Sequence, residues 1–222
     1  MKRLVEHVAS LHAYSRGRIE ELRALQHEKD IAPGVLCPPS VLVRAIDAAL
    51  SDTQFLSQVV HLSDDERSVL ADCRSLIEGR PRWVDESEVV CLNRDFSVSN
   101  TAFRDTPQGG QLVSFDWGAA HIGPIEEDVE VLLGRDFRTD RATQEMIVRH
   151  YLSAYHELVG RSSDYDVLMA RIRWARLMVT LRYTFEHMNS LHWMRWQSRS
   201  LHFIHFFIGL AKSNAVEIRT RG

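Results

Sequence analysis

The stretch from Val89 to Ala120 constrains this chain more than any other. It holds two short apolar runs, Val89-Val90-Cys91-Leu92 and Leu112-Val113-Ser114-Phe115, and each is followed closely by a carboxylate, Asp95 after the first and Asp116 after the second. Short runs this rich in Val, Leu and Phe read as buried strands. Pro107-Gln108-Gly109-Gly110 between them supplies turn residues. The expectation is two strands side by side, with Asp95, Asn100 and Asp116 gathered near one end.

Asp95 and Asn100 have four residues between them. In the kinase catalytic loop an Asp at that spacing accepts the proton of the substrate hydroxyl and the Asn binds Mg²⁺, while a second Asp, followed by an aromatic residue and Gly, holds the metal that bridges the nucleotide phosphates. Asp116-Trp117-Gly118 has that form. Mg²⁺ is a hard cation that takes carboxylate and carbonyl oxygens. The segment resembles the core of the aminoglycoside phosphotransferase and choline kinase family, the small-molecule branch of the protein-kinase-like fold. That family carries an H-G-D-x-x-x-x-N loop and, later, an Asp followed by an aromatic residue. The resemblance implies Asp95 as catalytic base, Asn100 and Asp116 as ligands of Mg²⁺, ATP as donor, and a hydroxyl on a small molecule as acceptor. Gly123-Pro124-Ile125-Glu126-Glu127-Asp128 is similar to the family's Gly-Pro stretch with an Asp opening the next helix, which implies Asp128 as a support of the catalytic loop. Where the family has His-Gly before the catalytic Asp, this chain has Asn93-Arg94; Arg94 is nearer the protein-kinase form.

The fold expected is α+β and predominantly helical: a protein-kinase-like C-terminal lobe with a small β-hairpin. Residues 1–222 read as a single lobe, helical over 1–80, with the catalytic hairpin and metal loop at 88–124 and helices again over 125–218. Residues 2–28 read as helix, with Leu4, Val5, Val8, Leu11 and His12 on one face. Leu4 to Ala13 resembles the helix that opens the family's C-terminal lobe. These residues hold no glycine-rich loop and no V-A-I-K-like strand, so the N-terminal β-rich lobe is expected to be absent. Full activity is expected to need that lobe, from upstream sequence or a second chain.

A helix is expected from Val41 to about Val60. Ser63-Asp64-Asp65-Glu66 forms a capping box for one ending near Ile77, with Gly79 as stop. Later helices are expected at Glu126 to Leu133, at Arg141 to Leu158, from Ser163 or Asp164 to about Met188, and from near Leu191 to about Val216. Ile172, Ala175, Val179 and Tyr183 suit a packed stripe. Trp174, Trp193, Trp196, Phe203, Phe206 and Phe207 are expected to be mostly core. The acidic run Glu126, Glu127, Asp128 and Glu130 reads as a charged first turn, or as a surface that draws a cationic substrate. His202 and His205 have metal-ligand spacing but lack a third ligand.

Charge and composition exclude several classes. A net charge of -3 with basic and acidic residues interspersed leaves no nucleic-acid footprint. No apolar run approaches the length of a membrane span. Leu201 to Ala211 reads as a buried helix. Three widely spaced cysteines, Cys37, Cys73 and Cys91, favour neither zinc nor disulfides, and a cytoplasmic setting is expected. Two other readings stay open: a kinase-like lobe kept as an inactive binding or scaffold module, and an unrelated helical protein in which Asp95 and Asp116 lie far apart.

Overall fold

The computed structural model describes residues 2–28, 39–51, 60–107, 109–118, 120–133, 140–161, 164–193 and 197–221. The described helices are α1 (Lys2–Arg16), α2 (Ile19–Glu28), α3 (Pro39–Leu50), α4 (Asp64–Glu78), α5 (Ile125–Leu132), α6 (Arg141–Val159), α7 (Tyr165–Trp193) and α8 (Gln197–Arg221). The strands are β1 (Val89–Leu92), β2 (Thr101–Thr106), β3 (Gly109–Ser114) and β4 (His121–Pro124). The molecule is mostly helical with a small β region, an α+β arrangement. The chain forms two compact units, Met1–Leu36 with Glu86–Ile172, and Cys37–Asp85 with Arg173–Gly222.

In the first unit α1 packs against α6 and β1. Its buried face is Leu4, Val5, Val8, Ala9, His12 and Ser15, close to the stripe read from spacing. The expected helix over 2–28 is two helices, interrupted at Gly17-Arg18. α6 turns Ile147, Val148, Tyr151, Leu152 and Tyr155 inward and leaves Leu158 exposed. Tyr151 and Tyr155 stack with ring centroids 5.7 Å apart. Val90, Leu92, Phe96, Val129 and Ile172 complete this core, each contributing roughly 1.5–3 kcal/mol through burial of its side chain.

The β region differs from expectation in its pairing. β1 does not lie beside the Leu112 run. It pairs antiparallel with β4, Val89 opposite Pro124 and Leu92 opposite His121, while β2 pairs with β3 in a separate hairpin. The single expected hairpin is therefore two two-stranded sheets. Within His121–Pro124 only Ile122 has strong strand propensity. Tertiary contact makes it a strand: a Cβ at Gly123 would stand 2.8 Å from Leu92 Cδ1 and 3.0 Å from His121 Nε2, so a side chain there would have to displace the ends of those two side chains.

In the second unit α4 packs against α3 and α8. The capping box forms as read: Ser63 Oγ accepts from Glu66 N, and Glu66 Oε2 accepts from Ser63 N at 2.8 Å. Gly79 ends the helix. The core here holds Leu42, Ile46, Leu70, Cys73, Ile77, Ile204 and Ile208. From α7 the inward residues are Trp174, Leu177, Leu181, Phe185 and Met188, so the stripe expected at Ala175, Val179 and Tyr183 is displaced by two residues. Apolar residues lie around most of α7, and packing rather than periodicity selects the face. Of the aromatics expected in the core, Trp174 is buried and Phe206 is exposed; Trp196 and the side chain of Trp193 lie outside the described residues. Burial pushes the Cys73 thiol up to about 12. Cys37 is also outside the described residues. No described helix is long and apolar enough to cross a membrane.

Candidate active site

The loop after β1 is held from below by Asp128. This carboxylate is fully buried at the start of α5 and accepts from Asn93 N at 3.0 Å and Arg94 N at 2.7 Å. A carboxylate only accepts, so the Nε2–H of His12 donates to it at 3.1 Å. The other ring nitrogen of His12 meets the Tyr151 hydroxyl at 2.8 Å. Burial, foremost, and the neighbouring Tyr155, Glu126 and Asp128 push the Tyr151 pKa well up, which keeps its hydroxyl protonated. Helices α1, α5 and α6 thus reach the loop through one buried polar chain. Its members are satisfied by one another, as burial demands.

Asn93 is itself fully buried and links the two halves of the site. Its Oδ1 accepts from Asp95 N at 3.0 Å, and its Nδ2 donates to Asp116 O at 3.5 Å. Asn100 Nδ2 donates to Asp95 O at 3.0 Å, and Phe115 N donates to Asn100 O at 3.0 Å. The backbones of Asp95, Asn100 and Asp116 are therefore tied together by four hydrogen bonds. The segments carrying them converge even though β1 and β3 are not partners. The orientation of Asn100 follows: with its nitrogen turned to Asp95 O, the amide oxygen is the end left for a cation.

Backbone conformation singles out the same loops. Arg94 and Asp116 are the non-glycine residues with positive φ among those described, at 62° and 59°. Left-handed backbone costs an L-residue about 1–2 kcal/mol. At Arg94 the ion pair to Glu127 at 3.3 Å and the amide bond to Asp128 offset that cost. Trp117 closes one side, with its indole N–H on Ser114 O at 3.1 Å and its ring edge-on to Phe96 at 6.3 Å. His7 Nε2 lies 3.2 Å from Ser114 Oγ, and burial lowers its pKa.

The acidic run is not an exposed surface. Glu126, Asp128 and Glu130 are buried, and Glu127 is paired with Arg94 and 3.6 Å from His121. In the second unit Asp65 pairs with Lys212 at 2.9 Å, and His205 pairs with Glu66. No group of three or more His, Cys, Asp or Glu placed to hold a metal occurs among the described residues. One amide and one carboxylate, with oxygens from a ligand, would be a different kind of site.

Sequence reasoning named Asp95, Asn100, Asp116 and Asp128, and it saw Asn93 only as a departure from a motif. His12 was placed on the buried face of α1 without a partner. The available signal was position: a polar side chain directly after an apolar strand, or on an apolar helix face, must find partners once buried.

No protein-family model matches the chain, and no curated protein matches its sequence. Among solved structures it is similar to a "putative aminoglycoside phosphotransferase" from Ralstonia eutropha JMP134, with a TM-score of 0.48 and 11% identity. The match covers 97% of this chain and 64% of that one, so the chain spans less than two thirds of its neighbour's length. What bears on function is the geometry of the loops themselves.

Proposed function

We propose that this chain is a kinase-like phosphotransferase lobe that acts on a small-molecule alcohol, of the aminoglycoside phosphotransferase type its loop motifs resemble. Asp95 is the base that orients and deprotonates the acceptor hydroxyl. Asn100 Oδ1 and the Asp116 carboxylate are the protein ligands of Mg²⁺, and ATP is the phosphoryl donor. The donor set fits the ion, since both ligands are hard oxygens and phosphate oxygens and water complete the shell. When bound, Mg²⁺ neutralises charge building between the β- and γ-phosphates.

The observation that carries this reading is Asn93. One buried amide bonds the backbone of the proposed base and the backbone of the proposed metal ligand, as a reaction dominated by positioning requires. An unrelated fold using these residues only as caps and turns has no reason to join them. The glycine-rich loop that covers phosphates in kinases is not among these 222 residues, so the direct readout is binding. In a thermal-shift titration, Mg·ATP is expected to stabilise the protein by about 2.7 kcal/mol at roughly one hundred times its Kd. Asp116→Asn should lose most of that shift, and omission of Mg²⁺ should do the same. An equal shift in the Asp116→Asn variant, or none in the wild type, would remove the reading.

A further inference from the structure

A second site lies at the far end of the β1–β4 ribbon. Asp95 and Asp116 adjoin the Leu92–His121 end, whereas Glu88 and Ile125 adjoin the Val89–Pro124 end, where Ile125 N donates to Glu88 O at 3.1 Å. Four strand residues, about 13 Å, separate the two. A cavity of about 430 Å³ opens at that end, inside the first unit, with Ile125, Tyr155, Val167 and Leu168 as its apolar wall and Glu126 and Arg171 among its charged groups. That volume lies within the usual range for a small-molecule site.

Glu126 is the anomaly in this cavity. Its side chain is 2% exposed, and no donor makes a hydrogen bond of good geometry to either carboxylate oxygen; the Ser87 hydroxyl and its own backbone N–H act on it only weakly. Arg171 Nη1 stands 3.9 Å from Oε1, close enough for charge attraction but not for a bond. Other acidic groups around the cavity are engaged. Glu88 pairs with Arg16 and accepts from the Tyr155 hydroxyl at 2.8 Å, and Asp164 Oδ1 accepts from Asp166 N at 2.7 Å. A buried carboxylate without donors is unfavourable by several kcal/mol. Burial accordingly pushes Glu126 up to about 7, against the smaller opposing pull of its own backbone N–H, Arg171 and the Ser87 hydroxyl. A buried acceptor this poorly supplied with donors, beside a half-apolar cavity, is suited to a ligand that brings an N–H and a compact hydrocarbon body.

We propose that this cavity binds a small organic cation, a primary ammonium on an apolar body of about one ring, with the ammonium on Glu126 and the body against Ile125, Val167 and Leu168. The cavity is lined by Glu86, Glu88, Glu126 and Asp164 against Arg161 and Arg171, so its formal charge favours a cation over an anion. The proposal does not depend on the phosphotransferase reading, and its site is separate from Asp95.

The test uses the whole chain, with benzylammonium as probe and benzyl alcohol as its neutral counterpart, near pH 8, where Glu126 is ionised. Ligand-observed NMR and thermal shift are expected to show saturable binding of benzylammonium, with benzyl alcohol about tenfold weaker or more, the usual scale for losing a charged hydrogen bond. Glu126→Gln should lose the preference for the cation. Val167→Trp, at a half-exposed position on the cavity wall, should block both probes without touching the charge. Loss of the Mg·ATP response should leave benzylammonium binding intact. Equal binding of the two probes, no binding of benzylammonium at millimolar concentration, or undiminished preference in folded Glu126→Gln would each overturn the proposal.

Discussion

At the scale of single residues, two buried side chains carry opposite lessons. Asn93 is satisfied at both ends of its amide and thereby ties the backbones of Asp95 and Asp116 together. Asn93→Ala leaves Asp95 N and Asp116 O without that partner. It should lower stability by about 1–3 kcal/mol, measured by urea unfolding, and weaken Mg·ATP binding by about tenfold. Unchanged binding in a destabilised Asn93→Ala protein would confine Asn93 to a structural role. Glu126 is buried and unsatisfied, and burial raises its pKa from 4.5 to about 7. A raised carboxyl pKa means that the folded state holds the proton more tightly than the unfolded state. Its contribution to stability is therefore fully present below about pH 4.5 and lost as pH rises to about 7, by an amount on the order of 3 kcal/mol. Glu126→Gln removes this titration. Its stability should fall less than that of the wild type between those pH values, and parallel pH–stability curves for the two proteins would refute the assignment. The spacing of Asp95, Asn100 and Asp116 was legible in the sequence because it is a property of the chain itself. The fates of Asn93 and Glu126 were not, since whether a buried polar group is satisfied depends on what the fold brings to it.

At the scale of elements, local rules worked where the determinant was local. Ser63-Asp64-Asp65-Glu66 was readable as a helix start because both reciprocal bonds lie within three residues. Ser63→Ala should cost about 1 kcal/mol in urea unfolding, and no loss would mean the cap contributes nothing. Gly160 ends α6 by the same local logic, adopting left-handed backbone at φ 67°. Local rules failed for β4, whose four residues, His121 to Pro124, hold a single strong strand former. It has β1 as its partner, and the missing Cβ at Gly123 leaves room for the side chains of Leu92 and His121. Gly123→Ala places a methyl against Leu92 and His121, and the expected penalty is about 1–3 kcal/mol from overpacking. A neutral Gly123→Ala would show that the two strands can part without consequence. The β1–β3 pairing failed for a related reason: two apolar runs with a turn between them specify strands, but not which strand each one meets.

At the scale of the whole molecule, two cores lie in two units, and the chain passes between them more than once, finally within α7. A unit with its own core can open on its own. Leu70→Ala, in the second core, should cost about 2–5 kcal/mol there. Native-state hydrogen exchange should show the loss first in α3, α4 and α8, ahead of β1 and α6, whereas uniform loss across all of them would mean one cooperative unit. Sequence alone determined the helix-rich class, the caps, the buried face of α1 and the spacing of Asp95, Asn100 and Asp116, because each depends on periodicity or on neighbours a few residues away. Only the tertiary structure decided the β1–β4 pairing, the face that α7 buries, the Asp128–His12–Tyr151 chain under the loop, and the stranded carboxylate of Glu126. Those outcomes join residues tens of positions apart, and the free energy that selects them, burial balanced against hydrogen bonding, exists only once distant segments are in contact.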